Sequence, residues 1–135
     1  MLQVLVRVTR VTAERLWEVD EPLPQGYGVS LNLSIKTIKR VNGKAEGRFI
    51  LDVSYQPPVG RIAIEGLIML KGDPKELDKV IKEGNSGKHP QEVVNAALTV
   101  GISEAVIASR SVGIPPPIPL PQPPIKNRSG VEYTV

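Results

Sequence analysis

Cysteine is absent from this chain of 135 residues, and histidine occurs once, as His89. The first absence excludes disulfides, thiolate zinc sites, iron–sulfur clusters and cysteine nucleophiles; the second excludes a histidine-rich metal centre. Aromatic residues are scarce: Trp17, Tyr27, Phe49, Tyr55 and Tyr133. Neither sign of charge dominates, because seventeen Lys and Arg against fourteen Asp and Glu leave a net charge of +3. The densest basic stretch, Lys36, Lys39, Arg40 and Lys44, is not interleaved with aromatics as a strand-binding surface would be. Nucleic-acid binding through those four with Arg7 and Arg10 is therefore the weakest of the binding readings. No apolar run reads as the ~20 residues that a membrane helix requires, and Met1 opens a strand-like pattern rather than a signal peptide. The expectation is a soluble cytoplasmic protein without membrane insertion.

What is present is aliphatic patterning. Apolar residues make up 41% of the chain, enough to offset chain entropy in one domain of this size. Residues 2–12 place Leu2, Val4, Val6 and Val8 at period two, and residues 29–38 do the same with Val29, Leu31, Leu33 and Ile35. Asn42-Gly43 follows, a pair that tolerates the positive φ of a tight hairpin. Residues 47–56 put Phe49, Leu51, Val53 and Tyr55 on one side, before Pro57-Pro58 and Gly60 turn the chain. Residues 61–71 align Ile62, Ile64, Ile68 and Leu70. The short links make the last three strands an antiparallel meander.

Two helices follow. Asp73, Pro74 and Glu76 form a start signal, Leu77, Val80 and Ile81 form a stripe, and Gly84 ends it. The second pattern runs from Pro90 to about Val112, ended by Gly113 and Pro115. Its polar residues Glu92, Asn95, Thr99, Ser103 and Arg110 occupy a narrow stripe, and aliphatics cover most of the rest. A helix apolar nearly all round needs cover on more than one side. The row Ala97, Gly101, Ala105 and Ala108 permits close approach of another backbone, and the expected occupant is a second copy of the chain, as a homo-dimer or dimer of dimers. Residues 114–124 hold seven of the thirteen prolines, so an extended proline-rich tail (114–135) follows a domain of residues 1–113.

Catalytic chemistry is thinly provided. His89 stands before Pro90 with no Ser or carboxylate beside it, Asp73 and Glu76 read as caps, and Glu65 is an isolated carboxylate on its strand. Gly84-Asn85-Ser86-Gly87-Lys88 lacks the spacing of a phosphate-binding loop. The reading is a protein that is not an enzyme and needs no cofactor.

The element order and local patterns resemble the SecB family of export chaperones. GRIAIEGLIML (Gly60–Leu70) is similar to that family's last strand. HPQEVVNAALTVGISEAVIASRSVGIPPPIPLPQPP (His89–Pro124) is similar to its helix region, where a proline opens the long helix and a segment matched by Ser109, Arg110 and Gly113 ends it. The resemblance covers about residues 4–124. It implies an α+β fold, with a four-stranded antiparallel sheet and a short and a long helix on one face. It also implies an oligomeric, ATP-independent holdase that binds unfolded or extended polypeptides in apolar grooves. Trp17, Tyr27, Phe49, Ile114, Ile118 and Leu120 are then the candidate groove contacts, and each can equally be core. The alternative is a scaffold or regulatory subunit that binds one folded partner.

Overall fold

The computed structural model describes residues 2–117. Four strands, β1 (Gln3–Arg15), β2 (Gly28–Val41), β3 (Lys44–Gln56) and β4 (Gly60–Lys71), precede two helices, α1 (Pro74–Asn85) and α2 (Gln91–Val112). All neighbouring strands are antiparallel, in the order β1-β4-β3-β2. The meander of β2, β3 and β4 is as the short links require, and β1 adds to the far side of β4. β1 and β2 therefore lie at opposite edges of the sheet, and the connection over 16–27 must cross its end, three strand spacings or roughly 14 Å.

Alternation decides the faces until each edge strand bulges. In β1 the register shifts between Val8 and Arg10, so Val4, Val6 and Val8 point inward before the bulge and Ala13 after it. In β2 the shift falls between Lys36 and Lys39, where Thr37 takes φ 23°. One extra residue reverses which face each later side chain occupies. Ile38, outside the alternating series of the sequence pattern, is thereby turned inward and is 2% exposed. Gly47 across the bulge makes the room: a Cβ there would lie 2.9 Å from Ile38 Cγ1. The β2–β3 turn needs positive φ at both central residues, and Asn42 (49°) and Gly43 (79°) supply it.

The core lies between the sheet's inner face and the helices. Phe49, Leu51, Val53, Ile62, Ile64, Ile68 and Leu70 are each 0–1% exposed. Helix α2 packs across β1, β4 and β3, and α1 packs against β2 and β3. At the start of α1 the Asp73 backbone N–H donates to Glu76 Oε1 (3.3 Å), and Leu77 N–H donates to the Asp73 carbonyl (3.0 Å). Replacing Glu76 with Ala removes that acceptor and is expected to cost about 1 kcal/mol, read as a lower denaturant midpoint at unchanged slope.

The row of small side chains on α2 serves this packing. Ala97 and Ala105 are fully buried, Ala108 is 7% exposed, and a Cβ on Gly101 would meet Leu51 Cδ2 at 2.8 Å. The expectation that this row receives a second copy is corrected: the helix uses it to sit close on its own sheet. The polar stripe Asn95, Thr99, Ser103 and Arg110 does face outward. By length and composition alone α2 is apolar enough to cross a membrane, with a mean hydropathy of 1.3 over its best window. Of that window 33% is buried against the body, chiefly the Ala and Gly residues with Val93, and the other aliphatic side chains lie on the helix flanks. The described part of the proline segment also joins the body, since Ile114, Pro115 and Pro117 are buried.

Candidate functional site

Two features of the fold converge at the end of the sheet where β1 finishes and β2 begins. The first is the crossing connection. Arg15, at the end of β1, donates from Nε to the Trp17 carbonyl (2.9 Å), from Nη2 to the Glu18 carbonyl (3.2 Å) and from Nη1 to the carbonyl of Gly113. One guanidinium thus ties the connection to the C-terminus of α2, where a cation also suits the helix dipole. Trp17 is half-buried, and its indole N–H donates to the Pro22 carbonyl (3.2 Å).

The second is the segment after α2. Ile114 packs over Gly60, and the Tyr55 hydroxyl donates to the Pro115 carbonyl. Tyr27 lies beside Tyr55, ring centroids 6.4 Å apart and planes at 51°, a tilted pairing favoured by the ring quadrupoles. Burial first, and then the neighbouring Tyr27, push the Tyr55 hydroxyl up to about 12 from its ordinary 10.0; burial raises Tyr27 as well. A raised tyrosine pKa favours the fold fully below pH 10 and is lost as pH climbs toward 12. Thermal midpoints of the parent protein are therefore expected to fall across pH 10–12. Tyr55→Phe should remove part of that slope, at a cost of about 1 kcal/mol at neutral pH for the lost hydrogen bond.

From this aromatic end an apolar strip runs along the inner face of β2. Val29, Leu31, Leu33 and Ile35 pair across the ladder with Tyr55, Val53, Leu51 and Phe49. All four partners on β3 are buried, yet Val29, Leu33 and Ile35 are only half-buried and Leu31 is 41% exposed. Helix α1 meets β2 near Ile38 and Arg40, whose guanidinium donates to the Pro74 carbonyl (3.0 Å) and to Asp78 (2.9 Å). The strip borders β2, an edge strand whose outward N–H and C=O groups have no ladder partner among the described residues. An apolar furrow beside an open strand edge can take an extended chain: the ladder binds main chain and the furrow takes alternate side chains.

The candidates from sequence divide accordingly. Trp17, Tyr27 and Ile114 are gathered at one end of the sheet. Phe49 is 0% exposed with its ring under Gly66, so it has no surface for a groove and is corrected to a core residue. Ile114, at 5% exposure, supports the wall rather than opening onto it. Ile118 and Leu120 lie outside the described residues. Sequence reasoning missed Arg15, which nothing in its neighbourhood marks, and did not single out Tyr55 or the β2 strip as a site. His89 stands beside Gly84, its Nδ1 buried and without a hydrogen-bond partner among the described residues, and Glu65 faces Arg10 at 3.7 Å. Among the described residues no three His, Asp or Glu side chains converge as metal ligands.

This arrangement of a four-stranded antiparallel sheet backed by a short and a long helix is the SecB-like fold. A solved structure with which it agrees is the Mycobacterium tuberculosis Rv1957 SecB-like chaperone in complex with a ChAD peptide from the Rv1956 HigA1 antitoxin. The TM-score is 0.59 at 14% identity, with 85% of each chain covered. No protein-family model matches the chain, and no curated protein matches it.

Proposed function

We propose that this protein is a SecB-like, ATP-independent holdase of the cytoplasm that binds non-native polypeptides in extended form along β2 and does no catalysis. The observation that carries the reading is the half-exposed strip Val29, Leu31, Leu33 and Ile35 beside a strand edge left unpaired among the described residues. The peptide bound to the similar chaperone adds support, because it shows the same fold engaging a polypeptide segment. Trp17 and Tyr27 close one end of the strip and supply broad apolar contact to clients of varied sequence.

The working form in this proposal is an oligomer. Val94, Leu98, Ile102 and Val106 of α2 remain half-buried, and Ile107 is 60% exposed. This aliphatic surface on the helix flanks is what a second copy would cover. Light scattering at micromolar concentration is expected to give the mass of a dimer or tetramer; a single-chain mass would overturn the assembly. The holdase itself is tested by aggregation of several unrelated unfolded clients, which stoichiometric protein should suppress without nucleotide. Protection of one client alone would instead indicate an adaptor dedicated to one partner.

A further inference from the structure

The outer face of the sheet, turned away from both helices, carries an unbalanced row of cations. Lys36 pairs directly with Arg48, Arg48 with Leu67, and Leu67 with Arg7, so the three cations and one leucine form a line across all four strands. Like charges placed directly opposite on adjacent strands are unfavourable. Among the described residues no carboxylate of this face is ion-paired with these three cations, although Glu46 and Glu65 line depressions shared with Lys36 and Arg48. The face's ion pairs among those residues are Arg10 with Glu65 at 3.7 Å and Arg61 with Asp52 at 4.0 Å, both exposed. Flanking rows bring half-buried Ile50 beside Glu65 and Arg10, and Met69 beside Leu5, which is 54% exposed. Two shallow depressions, of about 320 and 450 Å³, open here, and Lys36 and Arg48 line both.

We infer that this outer face is a docking surface for an acidic polypeptide segment whose carboxylates neutralise Lys36, Arg48 and Arg7 and whose aliphatic side chains cover Leu67, Met69 and Leu5. Charge complementarity selects an anion, and the composition of the face selects its class. A single-stranded nucleic acid would need rings on which its bases could stack, and Phe49 and Tyr55 are both on the inner side of β3. Glu46, Asp52 and Glu65, set among the cations, would repel a continuous line of phosphates. They are tolerated by a peptide that places carboxylates only every second residue, with aliphatics between. The surface lies on the opposite side of the sheet from the β2 strip, so the two sites can be disabled separately.

The test uses the full chain and a short fluorescein-labelled peptide rich in Glu with interspersed Leu. Anisotropy should show binding that weakens as salt rises. In Arg7→Gln/Lys36→Gln/Arg48→Gln the affinity should drop at least about tenfold. The triple variant should still suppress the aggregation of unfolded clients, which separates this site from the client strip. Because the row is uncompensated, the triple variant should melt at the same temperature as the parent or higher. Equal binding by the triple variant, a marked fall in its midpoint, or tighter binding of a single-stranded oligonucleotide through the same three residues would each overturn the assignment.

Discussion

Leu31→Asp is expected to reduce the capacity to hold unfolded clients at least tenfold while the protein stays folded. Leu31 is 41% exposed at the edge of the sheet, whereas Val53 across the ladder is 1% exposed. The change therefore removes surface that a client would cover more than surface the core already uses. Burying a leucine side chain is worth about 1.5–3 kcal/mol, and each 1.4 kcal/mol is about a factor of ten in affinity. The new carboxylate adds a desolvation penalty whenever a chain lies over it. Leu5→Asp is the control: it is 54% exposed but on the outer face, so client holding should survive. Aggregation of unfolded clients followed by light scattering reads both variants. Full protection by Leu31→Asp would remove β2 from the client site.

Gly66→Ala is expected to have the largest effect on stability. A Cβ at this position would lie 2.4 Å from the Arg7 carbonyl oxygen and 2.5 Å from the ring of Phe49. The first neighbour is backbone in a paired strand and the second is a fully buried ring, so neither can yield cheaply. Overpacking of this kind costs up to about 3 kcal/mol, a large share of the 5–15 kcal/mol typical of a domain. The thermal midpoint should fall by roughly 10 °C. Phe49→Leu should recover part of the loss in the double variant, because the clash is with the ring edge. Gly26→Ala, which meets nothing within 4 Å, should leave the midpoint unchanged.

The candidate site was legible only in part. Trp17 and Tyr27 were recognisable because aromatics are few in this chain and both lie between strands. The β2 strip was not singled out, since alternation tells which side chains share a face but not whether a helix reaches far enough to cover them. Ile38 sat outside the regular series, and only the bulge at Thr37 shows why it belongs to the core. The row Ala97, Gly101, Ala105 and Ala108 lies close on the helix's own sheet. A small-residue stripe records the distance to a packing surface and carries no mark of which chain provides it.

Local chemistry in the sequence was sufficient for the faces of β3 and β4 and of the edge strands up to their bulges, the Asn42-Gly43 hairpin, the start of α1 and the length of α2. Each depends on residues within a few positions of one another, whose φ preferences, capping groups and hydrophobic period act over one or two turns. Tertiary structure alone decided that β1 joins β4, that edge bulges reverse two strand faces, that Arg15 and Tyr55 tie the crossing connection and the proline segment to the sheet, and that the inner face of β2 remains partly open. Those outcomes depend on which distant surfaces meet and how far a helix of given length extends over a sheet of given width, quantities that no local pattern encodes.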